Sequence, residues 1–309
     1  MNVLVQTEEM TREEWLAWRN QGLGGSDAAV ACGLSRWKSP MELWLEKTGQ
    51  MEPAEVGEPA YWGTVLEPLI REEFTKRAGL AVQEEKAILK HSKYGFMLAN
   101  VDGFVEDPVN GKGIFEAKTA NAFAVKDWED SLPDEYMLQV QHYLAVTELE
   151  FAYVAVLFGG NTFQWRFIPR DESLIKLLIK LEAKFWHLVE TNTPPPIDGS
   201  KASKDLLSRL YPEGKKNSTV ELPEEAMTLI DEFEQAKADE YEALSIKDTA
   251  ANKLKKLIGD NEIGVIQDRT VAWKTVKSER LNSKMLKAEH PDIYKEYSES
   301  SVSRRFSVK

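Results

Sequence analysis

Asp102, Glu116 and Lys118 are the residues whose types and spacing most directly suggest chemistry. They sit in two short apolar runs, Asn100-Val101-Asp102-Gly103-Phe104 and Gly113-Ile114-Phe115-Glu116-Ala117-Lys118. The turn Asp107-Pro108-Val109-Asn110-Gly111 joins them, so the pattern predicts a β-hairpin with an acid on its first strand. Alternate strand residues share a face, which points Glu116 and Lys118 the same way and Ala117 the other. With Asp102 across from Glu116, two carboxylates and an ammonium would crowd one patch. Close carboxylates repel unless a cation lies between them, and hard oxygen donors suit Mg²⁺ or Mn²⁺. The pattern fits a metal-dependent phosphodiesterase centre. It fits an ordinary surface hairpin with a salt bridge equally well.

Other candidates lie on the elements that would surround such a hairpin. Thr11-Arg12-Glu13-Glu14 is a capping-box pattern opening a short helix with Trp15, Leu16, Trp18 and, near its end, Arg19. The glycine turn Gly22-Leu23-Gly24-Gly25-Ser26-Asp27 follows and leads into a small-residue helix, with Ser26 or Asp27 as N-cap. Backbone N–H groups at such a turn can hold a phosphate, and Arg19 would add a charged fork. Capping and close helix packing account for the turn as well. Residues 61–76 read as a helix with Leu66, Leu69, Ile70 and Phe74 as its apolar stripe, and Glu67 lies within that stripe. A carboxylate there is costly unless it is paired or binds a metal; a partly exposed acid beside Pro68 is the plainer reading. In the helix expected over 134–147, Tyr136, Val140, Tyr143 and Leu144 share a face. Gln139 and Gln141 lie on different faces, so at most one enters a site. His142 reads as structural or surface, and Cys32 as core.

The remaining elements frame these. Residues 50–60 read as an exposed loop, 123–130 as a helix, 151–158 and 162–168 as paired strands, and 171–189 as an amphipathic helix. The run Pro194-Pro195-Pro196 marks a boundary. The chain thus divides into a domain over 1–196, a linker over 197–221 and an accessory module over 222–309. In that module residues 223–258 read as a long helix or as two helices forming a helical hairpin, and 262–276 as a β-hairpin turning at Asp268-Arg269. Residues 281–297 read as a helix broken at His290-Pro291, and 303–308 as a final strand. No internal repeat of fixed period is visible.

At 309 residues and 42% hydrophobic, the chain can bury a sizeable core. One cysteine excludes an intrachain disulfide framework and a cysteine-based zinc site. With no run of 18 apolar residues and no signal pattern, the expectation is a soluble cytoplasmic protein. The net charge of −12 weighs against nucleic acid, but the first 200 residues hold the whole excess and 253–309 lean basic. An acidic domain still takes DNA where its cleft is locally basic or its acids carry cations.

In sequence order the candidates run Glu67, Asp102, Glu116-x-Lys118, Gln139, which resembles the PD-(D/E)XK nuclease superfamily. The stretches Gly22–Asp27, Lys38–Trp44, Gly63–Pro68 and Tyr136–Tyr143 together resemble the YqaJ-type viral recombinases, phage nucleases similar to lambda exonuclease. The resemblance covers about residues 10–190. It implies an α/β fold, a PD-(D/E)XK core with a central mixed β-sheet flanked by helices, followed by the C-terminal helical-hairpin and small β extension. It also implies two Mg²⁺ or Mn²⁺ ions held by Asp102, Glu116, the Ala117 carbonyl and Glu67. Lys118 would position or activate water, Gln139 would face the site, and Arg19 and Ser26 would bind a 5′-phosphate. The implied activity is digestion of the 5′ strand of linear duplex DNA in a bacterial host, by a phage- or prophage-encoded enzyme. That would leave 3′ single strands for a RecT-type annealing protein. The family implies a homo-oligomer, a trimer ring. An endonuclease or nickase, or a non-catalytic DNA-binding scaffold, would use the same fold.

Overall fold

The computed structural model describes residues 2–54, 57–300 and 302–308. Its elements begin with β1 (Asn2–Gln6), α1 (Arg12–Arg19), α2 (Gly25–Ala31), α3 (Pro40–Lys47) and α4 (Glu58–Ala78). Then come β2 (Val82–Gln83), β3 (Ala87–Lys90), β4 (Leu98–Ala99), β5 (Gly103–Asp107) and β6 (Gly111–Ala120). A 3₁₀ segment at Ala122–Trp128 precedes α5 (Asp134–Thr147), β7 (Phe151–Phe158), β8 (Thr162–Pro169), α6 (Glu172–Glu190) and α7 (Lys201–Leu210). The rest is α8 (Glu225–Ile258), β9 (Ile263–Ile266), β10 (Arg269–Ala272), α9 (Ser283–Glu289) and α10 (Pro291–Glu296). The elements gather into two compact units, one ending at Leu210 and one beginning at Tyr211. No helix among the described residues is long and apolar enough to cross a membrane.

The first unit is organised on a five-stranded mixed sheet in the order β2-β5-β6-β7-β8. Only β6 and β7 are parallel, and a tight turn cannot join a parallel pair. The connection instead carries the 3₁₀ segment and α5 across one face. Period-2 alternation then sorts the side chains. On β7, Ala152, Val154, Val156 and Phe158 pack with Val140, Tyr143 and Leu144 of α5. Phe151 and Ala155 pack on the other face with Ile70 and Phe74 of α4. On β6, Ile114 joins the first cluster and Phe115 the second. The next steps along that strand aim Glu116 and Lys118 at α5. A three-stranded antiparallel sheet, β1-β3-β4, adds Ala87, Leu89 and Ala99 to the α5-side core.

The β5–β6 hairpin forms with the expected turn, running from Gly103↔Phe115 to Asp107↔Gly111. Gly111 has φ +80°, a conformation that disfavours a Cβ. Asp102, however, lies one residue outside β5 rather than on the strand.

Elsewhere the structure differs from the sequence reading. The helix α2 is capped by Gly24; Asp27 bonds back to it from the third helical position, so neither Ser26 nor Asp27 is the N-cap. Of the loop expected over 50–60, Glu55 and Val56 lie outside the described residues, and α4 has begun by Glu58. The linker expected over 197–221 contains α7, which buries Ala202, Ser203 and Leu206 in the first unit and pairs Arg209 with Glu42 of α3. The first unit therefore runs past the proline run. Ten residues with two buried apolar positions give too little periodicity to show in a polar segment.

Of the two readings of 223–258, the long helix forms and the helical hairpin does not: α8 is one continuous helix of 34 residues. Nothing interrupts it because 225–258 contain neither glycine nor proline, and Gly259 ends it at φ +60°. The β-hairpin follows, as do two short helices broken at His290-Pro291. The final strand expected over 303–308 does not form: among the described residues no strand pairs with it, and Phe306 sets its ring against Phe233 of α8 at 5.5 Å instead.

Candidate active site

Asp102 sits one residue before the last β5–β6 pair, Gly103↔Phe115. The Asp102 Oδ2 accepts the N–H of Ala117 at 2.7 Å, which fixes this carboxylate beside the strand rather than in solvent. Glu116 is 2% exposed, and its Oε1 accepts from Lys118 Nζ at 2.7 Å and from Gln139 Nε2 at 2.7 Å. Lys118 Nζ also donates to Gln139 Oε1 at 3.0 Å. The three side chains close a triangle, and Tyr143 steadies it by accepting from Gln139 Nε2 at 3.1 Å. The Lys118 ammonium lies 5.3 Å from the Tyr136 ring centroid. Gln141 turns away, donating to the Pro169 carbonyl at 2.8 Å and accepting from the Asp171 N–H at 2.9 Å. The argument that only one glutamine enters the site therefore holds, and it is Gln139.

Glu67 reaches the same cleft from α4. The cleft is about 530 Å³, and Asp102, Glu116, Ala117, Lys118 and Gln139 line it along with Glu67. One turn on, Arg71 lies 3.6 Å from Glu67 and donates to the Asp102 carbonyl at 3.1 Å, tying the helix to the start of the hairpin.

The electrostatics of this group are unusual. Burial raises the Glu116 carboxyl, Asp102 raises it further, and Lys118 only partly offsets them, leaving it at about 8. Burial and then Asp102 raise Glu67 to about 7, against the pull of Arg71. Asp102 is also raised, because burial outweighs Lys118 and the Ala117 N–H. Burial would lower the Lys118 ammonium, but Glu116 and Asp102 overcome it and hold the charge. Glu116 Oε2 is buried without a hydrogen-bond partner among the described residues. Three mutually repelling carboxylates and one orphaned oxygen form a donor set that a hard divalent cation satisfies. No three His, Cys, Asp or Glu side chains among the described residues are gathered closely enough to enclose a metal by themselves. Water, a phosphate oxygen or a backbone carbonyl such as that of Ala117 would complete the shell.

Arg19 forms the opposite wall of the cleft. Its guanidinium donates to Ser26 Oγ at 2.6 Å, lies 3.4 Å from Asp27 Oδ1 and packs 4.9 Å from the Trp15 ring centroid. The glycine turn also allows close packing. The Gly24 N–H is already donated to Asp27 Oδ2 at 3.0 Å. The lack of a side chain matters: a Cβ on Gly25 would stand 2.4 Å from the Tyr143 ring, and one on Gly24 3.1 Å from the Arg19 guanidinium. Two glycines thus let the Arg19 corner close against α5.

Several residues of the site were not singled out from the sequence. Lys47 at the end of α3 is buried and lies 2.9 Å from Asp27 Oδ2, while donating to the Arg19 carbonyl at 3.1 Å. Burial would raise the Asp27 carboxyl, but Lys47, Arg19 and the Gly24 N–H hold it well below the usual carboxylate range. Arg71 and Tyr143 are the others. Tyr143 was visible only as part of an apolar face, and Lys47 and Arg71 carry no local signal at all. His142 is structural: it is fully buried, with Nδ1 2.8 Å from Glu182 Oε1 and Nε2 2.8 Å from the Leu98 carbonyl. Cys32 is half-buried, and burial raises its thiol to about 12, so it is no nucleophile.

Comparison with known proteins places these features in context. Residues 14–150 match the family described as the YqaJ-like viral recombinase domain. Protein YqaJ of Bacillus subtilis (strain 168) is 41% identical over 312 residues, covering 99% of this chain and 97% of that one. Among solved structures, the alkaline exonuclease LHK-Exo of Laribacter hongkongensis aligns with TM-score 0.49 and 22% identity, over 64% of this chain and 100% of that one. A phage-related exonuclease of Haemophilus somnus 129PT aligns with TM-score 0.43 and 14% identity, over 55% of this chain and 96% of that one.

Proposed function

Because the chain belongs to the YqaJ-like viral recombinase family, we propose that it is a divalent-metal-dependent exonuclease that shortens the 5′ strand of linear duplex DNA. The observation that carries this reading is the single cleft bordered at once by Glu67, Asp102, Glu116 and Lys118 and by Arg19 and Ser26. Phosphodiester hydrolysis needs negative charge neutralised at the scissile phosphate and a water positioned opposite the leaving oxygen. A chain end needs an anion site a fixed distance away. The cleft offers candidates for each role.

Asp102, Glu116 and Glu67, with the Ala117 carbonyl, would hold Mg²⁺ or Mn²⁺, two ions in the full complement. Bound there, the metal supplies charge stabilisation at the phosphate oxygens. Gln139 orients Glu116 by donating to Oε1, which leaves Oε2 as the ligating oxygen. Lys118 keeps its proton at Nζ, anchored by Glu116 and Gln139, and from there orients the attacking water and meets developing negative charge. The Arg19 fork and Ser26 hydroxyl receive the terminal 5′-phosphate. The 3′ strand left behind would feed a RecT-type annealing protein, and a trimer ring would keep the enzyme on its duplex.

The test is digestion of linear duplex bearing 5′-phosphate or 5′-hydroxyl ends, with Mg²⁺, by wild type, Glu116→Ala and Lys118→Ala. Wild type should prefer the 5′-phosphate, and both variants should lose about 100-fold or more in rate. Undiminished digestion by the variants, or circular duplex cut as fast as linear, refutes the reading.

A further inference from the structure

A second cavity of about 460 Å³ adjoins the catalytic cleft and shares Trp15, Arg19, Ser26, Ala60 and Thr64 with it. Arg19 lines both cavities, whereas Glu116 lines only the first. Arg12, Arg19, Lys38 and Lys47 face it, against only Asp27 and Glu46 among acids. This excess of positive charge stands out in a chain whose first 200 residues hold a net charge of −12. Lys38 is paired with Glu46 at 2.6 Å, and Lys47 with Asp27 at 2.9 Å. No ion pair among the described residues engages Arg12. Two indoles, Trp15 and Trp37, also line the cavity, and Trp37 is left 60% exposed. Arg36 covers part of the Trp37 ring at 5.1 Å from its centroid, and the rest of that indole is exposed; an uncommitted arginine beside an exposed indole is a combination that binds single-stranded nucleic acid, phosphate to the former and base to the latter. The volume lies within the range of about 300–1,000 Å³ typical of small-ligand pockets.

We propose that this second cavity receives the unpaired nucleotides of a 5′ overhang, letting an internal phosphate occupy the Arg19–Ser26 position. The inference rests on the reading of that pair as a phosphate site. A blunt 5′ end stops at the shared wall, with its strand running back towards Glu116. An end with extra nucleotides continues through the wall, and the second cavity is what it meets. Arg12 then faces the next phosphate and Trp37 stacks on a base. The cavity thereby sets which ends the enzyme accepts, a choice the catalytic carboxylates do not make.

Anisotropy of labelled duplexes in EDTA measures this without chemistry, comparing a blunt 5′-phosphorylated end with the same end carrying a two-nucleotide 5′ overhang. Wild type should bind the overhang more tightly. Trp37→Ala should weaken overhang binding about tenfold, the size of one lost base–aromatic stack, with blunt-end binding within about twofold of wild type. Trp37→Tyr should restore most of the loss, and Arg12→Ala should weaken the overhang alone. The proposal is overturned if wild type does not favour the overhang. It is also overturned if Trp37→Ala leaves overhang binding intact or weakens both ends alike. A parallel digestion of the blunt end with Mg²⁺ separates the two readings: no digestion there counts against the exonuclease assignment, whatever the binding contrast shows.

Discussion

Replacing Lys47 by methionine tests whether the Arg19 corner is built around a buried charge. The Lys47 ammonium lies 2.9 Å from Asp27 Oδ2, with the lysine side chain 4% and the aspartate side chain 10% exposed. Burial pushes the ammonium down, and Asp27 only partly restores it. Removing one partner of a buried pair leaves the other uncompensated and costs about 3–5 kcal/mol. Asp27 keeps the Gly24 N–H at 3.0 Å and Arg19 at 3.4 Å, so the lower end, about 3 kcal/mol, applies. For a unit of about 200 residues, at about 2–4 °C per kcal/mol, the melting temperature should fall by about 6–12 °C. Asp27, freed of Lys47, should also draw the Arg19 guanidinium towards itself and away from Ser26. The rate advantage of a 5′-phosphate over a 5′-hydroxyl should then shrink in the folded variant. Thermal melts and paired digestion assays below the lowered melting point read both effects. The Asp27→Asn/Lys47→Met double variant should lose less than the two single variants combined. A Lys47→Met protein melting within about one degree of wild type would show that the pair does not hold the corner.

Three further outcomes follow from the geometry. Without divalent cations, Glu67 at about 7 and Glu116 at about 8 stand above their ordinary 4.5, so the folded state holds protons that the unfolded chain has released. Melting temperature in EDTA should therefore fall as pH rises from about 5 to 8.5 and recover with Mg²⁺; a flat EDTA profile refutes this. Gln139→Leu removes the donor that orients Glu116 and should weaken Mg²⁺ binding about 10–100-fold by calorimetric titration of the folded variant. Gly25→Ala forces a Cβ to 2.4 Å from the Tyr143 ring and should cost about 1–3 kcal/mol in denaturant unfolding, whereas Gly199→Ala, with open space around it, should be near neutral.

The sequence by itself determined whatever depends on short-range periodicity. The turn at 107–111 and the period of two along β6 placed Glu116 and Lys118 on one face, with Asp102 one residue beyond the Gly103↔Phe115 pair. The 3.6-residue repeat of α5 separated Gln139 from Gln141. Seven residues of chain brought Arg19 to Ser26, and a family resemblance linked these pieces before any contact was known. Periodicity failed where a segment offered little of it: α7 hid in a polar stretch, and one helix could not be told from two over α8. Tertiary structure alone decided which charges lose their water. Lys47 meets Asp27 across 20 residues of chain, and Arg71 meets the Asp102 carbonyl across 31. Glu116 is raised because α5 and the sheet close over it, which no neighbour in sequence records. Side-chain direction is set within a few residues, but desolvation is set by whatever packs on top, and packing is a property of the whole chain.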